Sequence, residues 1–228
     1  MMTAVVILDY KAPELLKSCI EALPNSVQVI IVDNNATNRG FAAGCNIGIK
    51  QALEKGADYI WLLNNDAIVR PDTLEKLLAC VAPDIGAVGS VVLNPDGSVQ
   101  VWGGGYVRLG RSRRLRSPGP YSWLSACCLL LTREAIVATG GFDEGFFMYW
   151  EDVDLSFRLK AAGYKLAVAH DAFVTHFGGI EPRHSPRSLI RFFRKHSALW
   201  PIHVLVAALL GIKSRIRWPE LKRREAKV

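Results

Sequence analysis

Three times in its first 80 residues, the chain runs from a strand-length apolar segment into polar residues and then into a helix-like segment. The apolar segments Thr3–Leu8, Val27–Val32 and Tyr59–Leu63 are too uniformly apolar for strands with one wet face. The first intervening segment, Pro13–Leu23, carries its apolar residues at the 3.6-residue period of a helix. This alternation predicts an α/β domain, with a mostly parallel sheet covered by helices on both faces.

A short polar segment follows each apolar segment. These polar segments are Asp9-Tyr10-Lys11, Asp33-Asn34-Asn35 and Asn64-Asn65-Asp66. In parallel α/β sheets, ligands bind in the crevice outside the carboxyl ends of the strands. We therefore expect one crevice to collect all three polar segments. Asp66, at the end of a central strand, is suited to hold a divalent cation through a carboxylate oxygen. The alternative is a turn acid that caps the backbone after it.

A second group of acids begins a predicted helix, Glu151–Ala162. Glu151 and Asp152 lie in its first turn, where the helix dipole favours carboxylates, and we expect both to be ionised at neutral pH. They are then competent general bases toward a hydroxyl group, although an acidic first turn without any function is the simpler alternative. The i, i+4 spacing of Asp154 and Arg158 predicts an ion pair on one helix face.

The second half of the chain has weaker patterns. His176 ends an apolar segment before two glycines, and a neutral imidazole there is suited to complete a metal site with Asp66. A lone histidine is more often structural, and that reading stays open. Gly103–Gly119 is rich in glycine and arginine and is predicted to be an exposed loop. The other predicted strands are Gly86–Leu93, Trp123–Thr132, Lys165–Ala169 and Ala172–His176, and the other predicted helices are Ala42–Lys55 and about 71–80.

Several common motifs are absent from the sequence. It contains no GxGxxG after the first strand, no GxxxxGK[ST], no HExxH and no GxSxG. The five cysteines are odd in number and show no CxxC spacing, which favours reduced thiols in a cytoplasmic protein. The start of the chain lacks the pattern of a signal peptide.

The order of these segments resembles the family 2 glycosyltransferases of GT-A fold, especially the bacterial branch that builds surface polysaccharides and includes rhamnosyltransferases. The resemblance covers roughly residues 3–180 and is carried by "VDNN", "NRGFAAGCNIG", "WLLNNDAIVRPDTLEKLL", "GGFDEGFFMYWEDVDLSFRLKAAGY" and "VTHFGG". It implies a Rossmann-like, nucleotide-diphospho-sugar transferase fold. It also implies a metal-dependent, inverting enzyme that moves a sugar from a UDP- or dTDP-sugar to an acceptor hydroxyl during cell-surface polysaccharide synthesis.

The resemblance further implies roles for individual residues. Asp152 matches the catalytic base, and Trp150 and Glu151 lie at the acceptor. Asp66 and His176 match ligands of the Mg²⁺ or Mn²⁺ ion that bridges the donor diphosphate. The residues implied to bind the nucleotide are Asp9, Tyr10, Asp33, Asn38, Gly40, Asn46 and Asn65. The implied partners are a nucleotide-diphosphate sugar and a glycan or lipid-linked glycan acceptor. Because the implied metal-binding segment Asn64-Asn65-Asp66 has one carboxylate, the alternative is a catalytically degenerate transferase that binds nucleotide sugars as a sensor or scaffold.

We predict a transferase domain at residues 1–180 and a basic, amphipathic helical tail at residues 181–228. The tail holds 12 Lys/Arg and 3 acids, whereas the rest of the chain holds 16 and 18. Its apolar run Leu199–Ile212 is shorter than the roughly 20 residues that span a bilayer. The tail either docks on the anionic inner face of the cell membrane or packs on the domain with solvated charges. Nucleic acid is not an expected partner, because the basic residues alternate with aliphatic ones rather than stacking platforms.

Overall fold

The computed structural model describes residues 1–108, 110–178 and 186–212, with the side chains of 210–212 outside that description. The strands are β1 Thr3–Asp9, β2 Gln28–Asp33, β3 Tyr59–Asn64, β4 Ala67–Val69, β5 Ile85–Leu93, β6 Val99–Trp102, β7 Gly104–Arg108, β8 Arg111–Arg114, β9 Trp123–Leu124, β10 Cys128–Thr132 and β11 Lys165–His176. The helices are α1 Pro13–Glu21, α2 Phe41–Glu54, α3 Thr73–Ala79, α4 Arg133–Thr139, α5 Glu151–Ala161, α6 Pro186–His196 and α7 Trp200–Ile212.

The large sheet has the order β2-β1-β3-β10-β5-β11-β4, with β6 beside β5. Strand β1 is parallel to β2 and β3, and β11 is parallel to β5. In contrast, β10, β4 and β6 are antiparallel to their neighbours, so the sheet is mixed rather than mostly parallel. The α/β class is confirmed. The direction of the later strands was not predictable, because a fully buried strand reads the same in either direction.

Helices cover both faces of this sheet, as predicted. Along β1, Ala4 and Val6 point into a core shared with α2, α4 and α5, whereas Val5 and Ile7 point into a core shared with α1 and α3. This alternation follows from the two-residue period of a strand. It explains why the sequence of β1 is apolar throughout, and it leaves the polar strand ends at one edge of the sheet.

Three predictions for the second half need correction. Gly103–Gly119 is not a loop, because β7 and β8 form a hairpin that pairs with β9 in a separate three-stranded sheet. Its glycines conceal the pattern: a Cβ at Gly104 would lie 1.8 Å from the Trp123 carbonyl oxygen, so only glycine allows that approach. The predicted strand Trp123–Thr132 is divided into β9 and β10, which belong to different sheets. The segments predicted at 165–169 and 172–176 form one irregular strand, β11.

Helix α6 packs on the α/β domain through an aromatic cluster. Phe192 and Phe193 are 1% and 3% exposed, and their ring centroids lie 4.8 and 5.6 Å from that of Trp150. Of the two interpretations of the basic tail, the packed one therefore describes α6. Helix α7 follows it and leaves several large apolar side chains exposed. Within the described ranges, no helix has both the length and the apolar character needed to cross a membrane.

Candidate active site

The ends of β1 and β2 place two carboxylates side by side, since Asp9 and Asp33 are register partners. Asn35 joins them, because its Nδ2 donates to Asp9 Oδ2 at 2.8 Å and to Asp33 Oδ1 at 3.1 Å. Its Oδ1 accepts the Lys11 backbone N–H at 2.7 Å. Hydrogen bonds from the backbone and side chain of Asn35 lower the pKa of Asp33. The side-chain amide of Asn35 thus fixes the positions of both carboxylates at the carboxyl ends of β1 and β2.

The end of β3 joins the same crevice. Asn65 Nδ2 lies 3.4 Å from Asp9 Oδ1 and 3.3 Å from the Tyr10 carbonyl oxygen. The Lys11 ammonium lies 4.9 Å from the centroid of the Tyr10 ring. The structure therefore brings the polar ends of the first three long strands together, as the sequence predicted.

The segment before α2 forms a second wall of the crevice. Asn38 Oδ1 accepts the Gly40 N–H at 2.9 Å and a hydrogen bond from Asn34 Nδ2 at 3.1 Å. Gly40 has φ of +83°, and a Cβ there would lie 2.3 Å from the Phe147 carbonyl oxygen. That oxygen also accepts the Phe41 N–H at 2.8 Å. The segment before α2 therefore packs directly against the segment before α5, and only glycine fits at position 40.

Asn46 connects α2 to the same segment. Its Nδ2 donates to the Phe142 carbonyl oxygen and to Glu144 Oε1, both at 2.9 Å, and its Oδ1 accepts the Phe142 N–H at 2.9 Å. Both the oxygen and the nitrogen of the Asn46 side chain are thus hydrogen-bonded within the protein. The structure places Asn46 as a link between α2 and the loop that leads to α5.

Asp66 and His176 meet where β3 turns into β4 and β11 ends, with Asp66 Oδ1 3.0 Å from His176 Nε2. Gln100 Oε1 lies 2.9 Å from His176 Nδ1, while Gln100 Nε2 donates to Asn94 Oδ1 at 3.1 Å. This amide orientation requires that Nδ1 carries a proton. In the neutral ring, Nε2 therefore presents a lone pair, toward which Asn64 Nδ2 donates at 3.2 Å.

The pair fits a divalent cation. Asp66 Oδ1 is buried and has no hydrogen-bond donor among the described residues. Two electron-rich atoms so close together repel each other unless the ring is protonated or a cation lies beside them. A histidine that donates Nδ1–H to a carbonyl oxygen and presents Nε2 is also the usual arrangement in metal sites.

The space next to this pair is kept open by Gly178. A Cβ at Gly178 would lie 2.3 Å from Asp66 Oδ2 and 2.9 Å from His176 Nε2. Within the part of the chain that the structure describes, no group of three His, Cys, Asp or Glu side chains is arranged to hold a metal. Asp66 and His176 are the side chains that would hold a cation at this position.

Helix α5 begins in strained backbone. Tyr149 and Trp150 have φ of 67° and 73°, in the left-handed region that non-glycine residues rarely adopt. The Trp150 side chain is 3% exposed and packs against Phe192 and Phe193 of α6. The aromatic cluster thus holds the backbone that presents the first turn of α5, and the ring of Trp150 lies inside that cluster rather than at the surface.

The two acids of this turn are in different environments. Glu151 is 6% exposed, and its Oε2 has no hydrogen-bond partner in the described residues. Burial and the charge of Asp152 raise the pKa of Glu151 well above its usual value. Burial also raises the pKa of Asp152, against Arg114 and the Val153 N–H, which donates to Asp152 Oδ1 at 2.8 Å. Burial thus opposes the predicted ionisation of both acids, and most strongly that of Glu151.

Arg114 on β8 connects the two acidic regions. Its charge favours ionised Asp152. Burial raises the pKa of the Cys127 thiol, and there the charges of Asp66 and Arg114 act in opposite directions. Cys127 directly precedes β10, and its carbonyl oxygen accepts the Asn64 N–H at 2.9 Å. The charge of Arg114 therefore acts on Asp152 and, together with that of Asp66, on Cys127.

The remaining acids of this region are structural. Asp154 is fully buried and lies 2.7 Å from Arg158 Nε, which confirms the predicted ion pair. It also lies 2.9 Å from Lys195 Nζ and 2.7 Å from His196 Nε2 of α6. Asp143 pairs with the same Lys195 at 2.8 Å. These contacts fix α6 to α5, so neither acid is available for the reaction.

Five residues that shape the site were not singled out from the sequence: Asn35, Asn64, Gln100, Arg114 and Gly178. The sequence did point to two of them, because Asn64 lies two positions before Asp66 and Gly178 belongs to the glycine pair that follows His176 and Phe177. Gln100 gave no signal, since it lies on β6, 76 positions from the histidine that it orients.

The fold is that of the GT-A glycosyltransferases, and solved structures agree with it. GalNAc-T7 with UDP, GalNAc and Mn²⁺ superposes with a TM-score of 0.67 at 14% identity, over 85% of this chain. This chain covers 47% of the length of that one. The mannosyltransferase PcManGT of Pyrobaculum calidifontis, in complex with GDP-Man and Mn²⁺, gives a TM-score of 0.60 at 14% identity over 99% of this chain and 79% of its own.

The family described as "Glycosyltransferase like family 2" matches residues 3–198, and the chain belongs to that family. A Mycobacterium tuberculosis relative, N-acetylglucosaminyl-diphospho-decaprenol L-rhamnosyltransferase, is 28% identical over 88% of this chain and 86% of its own length. The O-antigen biosynthesis protein RfbC of Myxococcus xanthus is also 28% identical, over 75% of this chain and 17% of its own.

Proposed function

We propose that this chain is an inverting glycosyltransferase that moves a sugar from a UDP- or dTDP-sugar to a hydroxyl of a glycan or lipid-linked acceptor. The names of its relatives support a place in cell-surface polysaccharide synthesis. The observation that carries the proposal is the position of the buried Asp66 Oδ1, 3.0 Å from His176 Nε2 beside the space kept open by Gly178. This arrangement lies at the sheet edge where α/β proteins bind nucleotides.

The donor nucleotide would occupy the crevice at the ends of β1, β2 and β3. Asp9, Tyr10, Asp33 and Asn65 line it directly. Asn38, Gly40 and Asn46 stabilise the segments that border this crevice, through the hydrogen bonds and close contacts described above. When bound by Asp66 and His176, Mg²⁺ or Mn²⁺ would offset the negative charge that develops on the leaving diphosphate.

Asp152 is the proposed catalytic base. It takes the proton of the acceptor hydroxyl while that oxygen bonds to the anomeric carbon. The bond from the anomeric carbon to the diphosphate oxygen breaks in the same step, and its electron pair leaves with the nucleoside diphosphate. A single displacement inverts the configuration at that carbon. The raised pKa of Asp152 makes it a stronger base than an exposed aspartate.

Glu151 and Trp150 support this base. Protonated Glu151 adds no second negative charge beside Asp152, so the acceptor oxygen approaches only one carboxylate. Because its ring is buried, Trp150 is proposed to position the first turn of α5 rather than to contact the acceptor with its side chain.

Calorimetric titration of UDP, dTDP and GDP, with and without Mn²⁺, tests the donor assignment. We expect metal-dependent binding of one diphosphate to the wild type and a loss of the metal dependence in Asp66→Asn. Binding of equal strength without metal would remove the proposed role of Asp66. If a diphosphate binds but Asp152 can be replaced by Asn without loss of turnover, the base assignment is wrong. Binding without any sugar transfer would favour a nucleotide-sugar sensor.

We also propose that α7 holds the protein at the inner face of the cell membrane. Ile202, Leu205 and Leu209 follow an i, i+3, i+7 pattern and are 56%, 59% and 56% exposed. The following residues, 213–228, contain seven Lys/Arg and two Glu, a composition suited to anionic lipid. Such a helix lies in the interface plane rather than spanning the bilayer.

Flotation with vesicles containing phosphatidylglycerol tests this contact. The triple variant Ile202→Ser/Leu205→Ser/Leu209→Ser should lose vesicle binding, whereas Val137→Ser, at a 66% exposed site on α4, should retain it. Truncation before α6 is a poor test, because it would also remove Phe192 and Phe193 from the aromatic cluster. Equal flotation of wild type and triple variant would exclude α7 as the membrane contact.

A further inference from the structure

The β7–β8 hairpin carries a concentration of positive charge with no ion pair among the described residues. It and its C-terminal extension contain five arginines: Arg108, Arg111, Arg113, Arg114 and Arg116. The sequence has no acid between Asp96 and Glu134. Among the residues that the structure describes, no carboxylate lies within ion-pair distance of these arginines. Arg108 and Arg111 are even register partners, and like charges in opposing positions destabilise a hairpin.

The two faces of the hairpin differ. Val107 packs on the aromatic cluster of Trp150, and Arg114, on the same face, acts on Asp152. The opposite face carries Tyr106, which is 38% exposed, and its register partner Arg113. The hairpin thus extends from the proposed base to the surface and presents arginines along this path.

The turn of the hairpin is fixed against α7. Gly110 has φ of +74°, and a Cβ there would lie 2.4 Å from the His203 carbonyl oxygen and 3.3 Å from the Ala207 nitrogen. His203 in turn stacks on Phe193, with ring centroids 4.6 Å apart. The apolar stripe of α7 lies on the other side of that helix from His203 and Ala207. The arginines therefore lie between the proposed base and an apolar helix.

We propose that this hairpin is the subsite for the diphosphate group of a lipid-linked acceptor. Guanidinium groups bind phosphate oxygens in pairs of parallel hydrogen bonds, which suits Arg111 and Arg113 on the outer face. Arg114 offsets the repulsion between an anionic acceptor and ionised Asp152. The inference rests on the proposed function, because Asp152 marks where the acceptor hydroxyl lies.

Direct binding of a short, soluble prenyl diphosphate tests the subsite. Farnesyl diphosphate is titrated into the full chain without vesicles and with excess EDTA, so that the proposed metal site cannot contribute. Arg111→Gln/Arg113→Gln should weaken binding by at least about tenfold and reduce its salt dependence. Lys50→Gln/Lys55→Gln, which removes two charges from α2 and its C-cap residue, is the matched control and should bind as the wild type does. Uncharged farnesol should bind neither form.

Three results would overturn the proposal: equal binding by the wild type and the hairpin variant, equal weakening in the α2 control, or farnesol binding as tightly as farnesyl diphosphate. Loss of binding to phosphatidylglycerol vesicles, with farnesyl diphosphate binding retained, would assign the arginines to lipid headgroups and also overturn it. Titration of UDP and dTDP with Mn²⁺ separates this subsite from the proposed function. The hairpin variant should bind the nucleotide normally, which also verifies its fold. If no nucleotide binds the wild type but the arginines still bind the prenyl diphosphate, the donor assignment fails and the subsite stands.

Discussion

The two acidic regions of the crevice are built in opposite ways. Asp66 lies at a tight turn between strands, with a histidine oriented toward it and open space maintained by Gly178. Glu151 and Asp152 lie in a buried first turn behind two strained residues, against aromatic rings. The first region is short of a positive charge, whereas in the second burial favours the protonated form of Glu151.

This difference teaches how environment sets the role of a carboxylate. At Asp66 the protein supplies two electron-rich atoms and leaves the charge to be balanced by a cation. At α5 the charge is reduced internally, because burial raises the pKa of Glu151 and the charge of Arg114 favours ionised Asp152. The first arrangement is suited to binding a diphosphate, and the second to taking a proton from a hydroxyl.

The largest expected effect separates the two acids of α5. Asp152→Asn should lower kcat for sugar transfer by about 10²- to 10⁴-fold, because it removes the base, with nucleotide binding unchanged. Glu151→Gln is the matched control and should lower kcat by less than about tenfold, since glutamine resembles a protonated glutamate in shape and charge. Single-turnover rates and nucleotide titrations of both variants check this. Equal losses in the two variants would contradict the assignment of proton and charge within the pair.

The second effect concerns the support of α5 by α6. Phe192→Ala should reduce the free energy of unfolding by about 3–5 kcal/mol, because it leaves a cavity between Trp150 and Phe157. Leu209→Ala, at a 56% exposed position on α7, should change it by less than about 0.5 kcal/mol. Urea denaturation measures both. A small effect at Phe192 would show that α6 is a peripheral addition rather than part of the core.

How much of the structure could be predicted from the sequence differs between the two regions. The α/β class, helices on both faces and the meeting of the first polar strand ends were predictable, because each rests on local periodicity and on one rule about sheet edges. The proximity of Asp66 and His176 was also expected, and the structure places them 3.0 Å apart. These features require no knowledge of how distant segments pack.

The second region was less predictable, because it depends on contacts across the chain. The protonation of Glu151 follows from its burial and from its neighbour Asp152, and its sequence position suggested the opposite. The hairpin was concealed by Gly104 and Gly105, whose missing side chains allow strands to approach but break the alternating pattern. Gln100 orients His176 from a strand that no local pattern connects to it.

The third effect tests the open space at Asp66. Gly178→Ala would place a Cβ 2.3 Å from Asp66 Oδ2, so the carboxylate must shift. We expect metal-dependent nucleotide binding to weaken by about 10- to 100-fold, the range seen when groups around metal ligands are disturbed. Gly119→Ala, where the nearest atom would be 3.6 Å away, is the matched control and should bind normally. Unchanged Mn²⁺ dependence in Gly178→Ala would show that the cation does not bind beside this pair.

The smallest effect compares acids with opposite pKa shifts. Although burial opposes it, the contacts of Asp143 with Arg191 and Lys195 lower its folded-state pKa below the unfolded value near 4. Its contribution to stability is thus present above about pH 4 and is lost as the pH falls through the folded pKa. Glu151 has a raised folded-state pKa, so its protonated form favours folding at low pH, and this benefit declines as the pH rises above about 4.3.

The two substitutions should therefore respond to pH with opposite signs. Asp143→Asn should be less stable than the wild type at pH 7 and approach it as the pH falls below about 4. Glu151→Gln should gain on the wild type as the pH rises from about 4 to 7, because glutamine has no proton to lose. Urea midpoints of the three proteins from about pH 2 to about pH 7 measure both trends, that of Asp143 below about pH 4 and that of Glu151 above it. If both variants changed in the same direction, the contrast between a paired acid and a buried, protonated one would be wrong, and the proposed division of proton and charge at α5 would lose its basis.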